Sequence, residues 1–414
     1  MKKFFKLVLV LVMCVCTVFA LSACQSNKFK VGLICLHDES STYDKNFIDA
    51  MYRAMEECGL KKRQVEIIVN VPEGNECYER AVELAATCKV VFADSFGHED
   101  YMIQAAKENP EVMFCHATGT KAHTENLDNY FNAFAAIYEG RYLAGVAAGL
   151  KLQELLAANP TAEPKIGYVA AFPYAEVISG YTSFYLGVRS IVPLATMEVT
   201  YTNSWFAPED EKAAAQKLID RKCLVISQHA DSMGAPTACE KAGVPNITYN
   251  VSTESDCPNT YVISSKIDWT PYYVKMIKAA MNGEKVTEKD YTGTIVTGSV
   301  KLDAPGAKAA ASTTQAKLDE VKAKLQSGEL HVFDTSTFTV STFGNGTTSF
   351  FNLNATVDPV THRVTSYMAD VNSDPNYAGD TEAIHNGYFH ESEYRSAPYF
   401  DLIIDGVVLI DELK

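Results

Sequence analysis

The chain has 414 residues, 47% of them hydrophobic and 21% charged, a balance typical of globular proteins with two or three domains. Acidic residues outnumber basic ones by 51 to 36, and the formal net charge is −15. Nucleic acid is therefore disfavoured as a partner, because neutralising phosphates needs clustered lysines and arginines.

The first 23 residues have the pattern of a lipoprotein signal peptide. Three lysines precede an apolar stretch over residues 7–21, which is too short to span a bilayer comfortably. Leu21-Ser22-Ala23-Cys24 then resembles the recognition box of signal peptidase II. We expect cleavage before Cys24, acyl chains such as palmitate on this cysteine, and a polar tether over residues 24–29, with the protein held on the extracytoplasmic face of the cell membrane. An ordinary secretory signal is the alternative.

The segment from residue 30 onward alternates between apolar runs and amphipathic stretches. Short apolar runs are typical of strands buried on both faces of a sheet. Ser41-x-x-Asp44 has the form of a capping box at the start of a helix. The pattern predicts strands at 30–36, 65–71, 90–93 and 112–117, with helices at about 42–58, 77–87 and 99–107.

A second set of the same kind follows. Its predicted strands lie at 166–171, 197–201, 224–227 and 246–249, with helices near 175–190, 208–221 and 235–242. Between the sets, the glycines and alanines of residues 136–150 permit close helix packing. Strands separated by helices imply parallel sheets with right-handed crossovers, so the predicted class is α/β with two doubly wound lobes.

The division of the chain into lobes follows from a return of the chain after the second set. A predicted strand at 261–267 and helix at 271–282 are expected to rejoin the first lobe. The first lobe then comprises residues 30–140 and about 261–285, and the second comprises 141–260 and about 286–334. Residues 335–414 are predicted to form a β-rich extension packed on the lobes, with a turn at 343–347.

Eight cysteines follow Cys24 without the spacing of a disulfide scaffold. We expect free thiols, although a Cys77–Cys88 pair stays open. His37-Asp38-Glu39 and His229-x-Asp231 lack a third ligand at helical spacing, so neither a metal nor a cofactor is expected.

The residues directly after the predicted strands are unusually aromatic and polar. Open α/β sheets bind ligands at the carboxyl ends of their strands, so two such lobes would share a cleft. Aromatic faces with a few amides and carboxylates suit a flat, neutral ligand, and the absence of a glycine-rich phosphate loop after any strand disfavours nucleotides. The cleft candidates by position include Phe96, Gly97, Phe172, Asn203, Trp205, Asp231, Asn250, Lys266 and Trp269.

Several stretches in order along the chain resemble one family. They include Lys30-Val-Gly-Leu-Ile34, Lys165-Ile-Gly-Tyr-Val-Ala-Ala-Phe-Pro173, Ser227-Gln-His-Ala-Asp-Ser232 and the segment 132–145. The chain is similar, over roughly residues 30–335, to the BMP (basic membrane protein) family of PnrA-like ABC-transporter substrate-binding lipoproteins. That resemblance implies the two-lobed type I periplasmic-binding-protein fold, a purine nucleoside or base as ligand, and ABC permease subunits as partners of a monomer.

The resemblance also implies roles for single residues. Tyr43 would stack on the base and Asp44 would hydrogen-bond it, although both could simply begin a helix. Phe172 and Trp205 resemble cleft aromatics of the second lobe.

Recognition of the ribose is less complete. Lys266 aligns with a lysine that contacts ribose hydroxyls, or it forms a hinge ion pair with Asp268. Asn250 stands where nucleoside-binding relatives have an aspartate. The stretch around Asp231 is closer to a branch that holds a free purine base, in which Asp231 would accept from an exocyclic amine or a ring N–H.

Three functions are compatible with these features. The first is an ABC-importer receptor for a purine nucleoside or base, and we expect no catalysis. The second is a surface sensor or adhesin that uses the same lobes. The third, a nucleoside-processing enzyme, is disfavoured because no GxSxG, Walker motif or carboxylate run occurs.

Overall fold

The computed structural model describes residues 29–341, 354–371 and 381–411. The predicted signal peptide, Cys24, the tether up to residue 28 and the turn at 343–347 lie outside the described residues. Within those ranges, none of the helices combines the length and apolarity that a membrane crossing needs.

The first sheet contains six strands, all of them parallel to their neighbours, in the order β11-β5-β4-β3-β1-β2. The strands are β1 (Val31–Ile34), β2 (Val65–Ile68), β3 (Val90–Ala93), β4 (Met113–Ala117), β5 (Tyr130–Ala135) and β11 (Asp290–Gly293). The helices of this lobe are α1 (Thr42–Glu57), α2 (Asn75–Ala85), α3 (Glu99–Glu108), α4 (Ala122–Glu125) and α9 (Thr270–Asn282).

The second sheet contains seven strands in the order β12-β10-β9-β8-β6-β7-β18, and only the β10–β12 pair is antiparallel. The strands are β6 (Lys165–Ala170), β7 (Thr196–Tyr201), β8 (Ile226–Gln228), β9 (Asn246–Tyr249), β10 (Tyr261–Ile267), β12 (Val300–Leu302) and β18 (Val407–Leu409). The helices are α5 (Ile137–Ala158), α6 (Ala175–Arg189), α7 (Pro208–Asp220), α8 (Gly234–Ala242) and α10 (Thr314–Ser327).

The predicted α/β class with two parallel lobes is confirmed. Of the predicted capping box only the N-cap half forms, because the Ser41 backbone N–H donates to the Asp38 carbonyl and not to the Asp44 side chain. The Ser41 hydroxyl accepts from the Asp44 N–H at 3.2 Å and donates to the Asp44 carboxylate at 2.6 Å. These bonds satisfy a backbone N–H that the first turn of α1 would otherwise leave unpaired. The helix then turns Phe47, Ile48 and Met51 into the core.

The predicted lobe boundaries were wrong at the return of the chain. Strand β10 does not join the first lobe, because it continues the parallel ladder beside β9 in the second sheet. Only α9 returns to the first lobe, where Trp269 just before it stacks on Phe47 at 4.3 Å. The segment beyond residue 286 first adds β11 to the first sheet and then β12 to the second.

Three crossings therefore join the lobes: β5 to α5, β10 to α9, and β11 to β12. They are tied to one another by backbone bonds from the Ala136 N–H to the Gly293 carbonyl and from the Asp268 N–H to the Ser299 carbonyl, both at 2.7 Å. This arrangement places one hinge along a single edge of the cleft.

Helices α5 and α6 pack backbone against backbone, as the small residues of 136–150 predict. A Cβ on Gly145 would lie 2.0 Å from the Phe184 carbonyl oxygen, and one on Gly187 would lie 2.1 Å from that of Tyr142. Real Cβ atoms cannot approach so closely, so both positions need glycine.

The extension after residue 335 does more than cover the lobes, because its last described strand belongs to the second sheet. Its described strands are β13 (Ala355–Val357), β14 (Val364–Ala369), β15 (Thr381–Glu382), β16 (Ile384–His385) and β17 (Tyr388–Phe389), before β18 enters the second sheet beside β7. Phe400 stacks on Phe333 at 4.2 Å, which continues the core into this region. The eight cysteines at positions 35–257 are free, so the pair left open between Cys77 and Cys88 is not formed.

Candidate functional site

A cavity of about 380 Å³, measured with its open side, lies between the carboxyl ends of the strands of the two sheets. This is where doubly wound sheets bind ligands. The lining residues are Leu36, His37, Tyr43, Asp44, Ser95, Phe96, Thr118, Glu176, Trp205, His229, Asp231 and Tyr249.

The carboxylate of Asp44, on the wall from the first lobe, is already used by the protein. It accepts from the His37 backbone N–H at 2.7 Å and from the Ser41 hydroxyl at 2.6 Å, and the His37 imidazole lies 3.5 Å away. Burial pushes the pKa of Asp44 upward, but these donors hold it below its usual value. Asp44 thus orders the loop from β1 to α1 while it faces the cavity.

Asp94 lies behind this wall and is fully buried. Its Oδ1 accepts from the Leu36 N–H at 3.1 Å, and its backbone carbonyl accepts from the Tyr43 hydroxyl at 2.8 Å. Burial and the charge of Asp44 raise the pKa of Asp94 well above its usual value. Cys35 brings its sulfur within 4.8 Å of both carboxylates, yet burial also raises the pKa of this thiol. Protonated groups are poor metal ligands, so this trio favours a structural role.

The wall from the second lobe has polar groups without protein partners. Within the described residues, the hydrogen bonds of Asp231 all run through its backbone, to Thr42 and Trp205, and the buried Tyr249 hydroxyl has no partner. Burial raises the pKa of Asp231 well above its usual value, with a smaller contribution from the charge of Asp44. A polar group that is buried without a hydrogen bond costs about 1–3 kcal/mol. Such a group in a cavity is therefore available to bond a ligand.

Glu176 and His229 complete this wall. Glu176 sits in the first turn of α6, where the helix dipole favours a negative charge, and its Oε1 lies 3.6 Å from the His229 Nε2. Burial lowers the pKa of His229, so the imidazole is neutral near pH 7. Arg141, fully buried behind the wall, bonds to the Tyr168 hydroxyl and lies 4.9 Å from the centre of the Tyr249 ring. The hydroxyl of Tyr168 in turn lies 3.4 Å from His229 Nδ1.

Aromatic rings enclose the open side. Phe172 stacks on Tyr174 at 5.2 Å and meets Trp205 edge-on at 4.9 Å. Phe96 of the first lobe reaches Tyr174 at 5.6 Å, and it is 37% exposed. The rings therefore span both lobes at the mouth of the cavity.

The lobes also touch through hydrogen bonds. Thr42, at the start of α1, donates its N–H to the Asp231 carbonyl at 2.7 Å and its hydroxyl to the same oxygen at 3.1 Å. His37 lies 5.3 Å from Phe206 across the cleft. The two lobes are thus in direct contact beside the cavity.

Five predicted residues line the cavity: Tyr43, Asp44, Phe96, Trp205 and Asp231. Phe172 does not line the cavity itself but packs against Trp205, which does. The structure does not bring the other five to the cavity wall. Gly97 donates its N–H to Glu73, and Asn203 is an exposed residue with φ of 54°. Asn250 is buried with φ of 68°, and its Nδ2 has no partner among the described residues.

Lys266 and Trp269 occupy other surroundings. The Lys266 ammonium pairs with Asp303 at the end of the second sheet, rather than with Asp268 or the cavity. Asp268 instead pairs with Arg53 at 3.2 Å and Lys301 at 2.6 Å. Trp269 is buried between Phe47 and Phe134. Asp303 reaches Lys266 because β12, which directly precedes it, pairs antiparallel with β10. The sequence alone does not indicate this pairing.

Three lining residues were missed as candidates, namely Leu36, Glu176 and Tyr249. Tyr249 is the last residue of β9, directly before the candidate Asn250, and Glu176 lies in the first turn of the helix after β6. Both positions follow from the rule that ligands lie at the carboxyl ends of strands. Four further residues line the cavity, and each comes shortly after the carboxyl end of a strand: His37, Ser95, Thr118 and His229.

Comparison with known proteins identifies the family of the chain. Residues 31–335 match the Bmp family, described as ABC transporter substrate-binding protein PnrA-like. A purine-binding protein of Brucella abortus is 32% identical over 311 residues, which cover 74% of this chain and 83% of that protein. A Haloferax volcanii protein, provisionally named an ABC transporter glucose-binding protein, is 36% identical over 252 residues, or 60% of each chain.

Solved structures show the same fold. An ABC transporter solute-binding protein from Conexibacter woesei aligns with a TM-score of 0.60 and 20% identity, over 73% of this chain and 98% of its own. One from Aeropyrum pernix aligns with a TM-score of 0.62 and 16% identity, over 74% and 93%. The family is described as one of ABC transporter substrate-binding proteins, which act outside the cytoplasm and are not enzymes. This chain belongs to the Bmp family of PnrA-like ABC transporter substrate-binding proteins.

Proposed function

We propose that the chain captures a purine base or nucleoside in the cavity between its lobes and delivers it, as a monomer, to an ABC permease. We further propose that acyl chains on Cys24 hold it at the extracytoplasmic face of the cell membrane. The observation that carries the ligand proposal is that Asp231, whose hydrogen bonds among the described residues all use its backbone, lines the cavity together with Trp205.

The chemistry of the cavity favours a flat ligand that carries N–H donors. Trp205 offers an aromatic face, and stacking of a base contributes about 1–3 kcal/mol. Asp231, Glu176 and the Tyr249 hydroxyl offer acceptors. An exocyclic amine and a ring N–H of a purine would supply the matching donors, and the purine-binding relative supports this ligand class.

A sugar is the competing ligand, since one relative carries a glucose-binding name. Sugar hydroxyls both donate and accept, so a sugar site needs donors as well as acceptors. The second-lobe wall offers two carboxylates, a tyrosine hydroxyl that can also donate, and a histidine whose Nδ1 already meets Tyr168. The balance of groups therefore favours the purine.

The test starts with whatever co-purifies with the protein, identified by mass spectrometry after denaturation. Calorimetry of the ligand-free protein then compares adenine, adenosine, guanosine and glucose. We expect micromolar or tighter binding of a purine and no response to glucose. Tight glucose binding with no purine response would overturn the ligand proposal, and release of free base from adenosine would overturn the receptor proposal.

Base and nucleoside can be separated by Asn250→Asp. This change restores the acidic residue expected in nucleoside-binding relatives, next to Tyr249 of the cavity wall. We expect the adenosine-to-adenine affinity ratio to rise about tenfold. An unchanged ratio would remove Asn250 from ribose selection.

The membrane anchor is tested separately in cells. Metabolic labelling with a palmitate analogue should mark the wild-type protein and not the Cys24→Ala variant, which should be released from the membrane. Labelling of the variant, or a wild type without label, would leave an ordinary secretory signal as the explanation.

A further inference from the structure

Two histidines and a glutamate meet in the C-terminal extension, beyond the segment matched by the family. His385 ends β16, and His390 and Glu393 follow β17, so the hairpin and the turn after it bring their side chains together. The His385 Nε2 lies 2.8 Å from the Glu393 Oε2, and the His390 Nδ1 lies 3.0 Å from the same oxygen.

The hydrogen bonds of His390 indicate that a cation belongs between its Nδ1 and Glu393. Its Nε2 lies 3.1 Å from the His385 backbone carbonyl, an acceptor, so this nitrogen carries the proton. When the ring is neutral, its Nδ1 then points a lone pair at a carboxylate oxygen. Two electron pairs at 3.0 Å repel each other unless a cation lies between them.

We propose that His385, His390 and Glu393 form a binding site for a divalent transition-metal ion such as zinc. Imidazole and carboxylate are common zinc ligands, with metal–ligand lengths of ~2.0–2.2 Å, which place tetrahedral ligand atoms about 3.3 Å apart. The three ligand atoms lie within 4.8 Å of one another, with two of the separations at 2.8 and 3.0 Å. A small outward movement of the carboxylate admits the ion.

Neighbouring groups hold the ligands in this geometry. Tyr388 lies between His331 and His390, with ring centres at 3.6 and 3.8 Å, and His385 stacks on His390 at 3.3 Å. The bond from His390 Nε2 to a backbone carbonyl is the kind of outer contact that fixes the tautomer of a metal-binding histidine. The Asn386 Nδ2 lies 3.3 Å from the His385 Nδ1, and turning this amide over would present its oxygen to that nitrogen instead.

The exposure of the ligands indicates a site with an exchangeable position. The side chains of His385 and Glu393 are 39% and 41% exposed, whereas that of His390 is 12% exposed. Three protein ligands at an accessible surface leave the fourth position to water. The hairpin is tied to the body through the Phe389 N–H, which donates to the Phe333 carbonyl at 3.0 Å, so the ion would also stiffen this attachment.

Titration of the metal-free full chain with Zn²⁺ tests the proposal. A chromophoric chelator in competition should report one ion per chain with a micromolar or lower Kd. The variants His390→Ala and Glu393→Gln should each weaken binding at least tenfold. His362→Asn is the matched control, because it removes an exposed histidine of the same extension from a left-handed position that asparagine tolerates. An unchanged Kd in His390→Ala, or no stoichiometric binding by the wild type, would overturn the proposal.

A second measurement needs no variant. Diethylpyrocarbonate modifies accessible imidazoles, and peptide mass spectrometry locates the products. Zn²⁺ should protect His385 and His390 by at least fivefold and leave His362 unprotected. Equal modification with and without Zn²⁺, which is the result expected if a proton alone joins His390 to Glu393, would overturn the metal site.

Discussion

The two walls of the cleft differ in how their carboxylates are used. On the first lobe, Asp44 accepts from His37 and Ser41 and begins a helix. On the second lobe, the hydrogen bonds of Asp231 within the described residues run through its backbone and leave its carboxylate to the cavity. The same chemical group therefore organises one wall and is available to a ligand on the other. The comparison teaches that a lining carboxylate indicates a ligand contact only when its own hydrogen bonds are counted.

Asp231→Asn should have the largest effect on ligand affinity. Hydrogen bonds to charged groups contribute ~1.5–3 kcal/mol, and each ~1.4 kcal/mol is tenfold, so we expect affinity for a purine to fall roughly 10- to 100-fold. Calorimetry measures the loss, with the exposed carboxylate variant Asp220→Asn as control. Equal affinities in both variants would break the contrast between the walls.

Trp205→Ala should weaken purine binding at least tenfold, because it removes the stacking face of the second wall. The matched control is Trp269→Phe, the other tryptophan, which is buried against Phe47 outside the cavity. That variant should lower Tm and leave affinity within twofold. A similar loss of affinity in both would count against ring stacking by Trp205.

Affinity should rise with pH through the titration of Asp231. Burial raises the pKa of this carboxyl in the folded protein, so it is protonated at pH values where an ordinary carboxyl is ionised. The ionised form accepts from ligand N–H groups at both oxygens and more strongly than the neutral form, and affinity should therefore fall by up to about tenfold per pH unit below that pKa. Calorimetry across acidic and neutral buffers gives the slope, and Asp231→Asn should flatten it.

Asp44→Asn should act mainly on stability. It weakens the cap of α1, so the free energy of unfolding should fall by about 1 kcal/mol, with affinity changed less than threefold. The pKa of Asp44 is lowered in the folded state, so its contribution is present above the unfolded pKa of about 3.9 and is lost as pH falls. Urea unfolding at pH 3 and pH 7 measures the loss of stability and its dependence on pH. A tenfold loss of affinity would give Asp44 a direct ligand contact.

Lys266→Met should have the smallest effect. Its ammonium pairs with Asp303, and the residue is not part of the cavity wall. We expect affinities for adenine and adenosine within twofold of wild type. A tenfold loss for adenosine alone would restore the ribose contact that the sequence suggests.

The sequence was most informative where local chemistry decides the outcome. The apolar runs located most of the strands, and the residues after them included Tyr43, Phe96, Trp205 and Asp231 of the cavity wall. It was less informative where the partner comes from a distant strand. The chain cannot reveal from spacing that Asp303 takes Lys266, or that β10 pairs with β9 and stays in the second lobe.

By itself, the sequence determined the α/β class, the two parallel lobes, the family and the aromatic, acidic character of the cleft. These follow from periodicity and from which residues end each strand, and both are local properties. Only the tertiary structure decided which carboxylates are saturated, which lobe each hinge segment joins, and which histidines of the extension meet Glu393. Those outcomes depend on contacts between residues far apart in the chain. They also depend on differences of a few tenths of an ångström between contact distances, which the spacing of residues in the sequence does not encode.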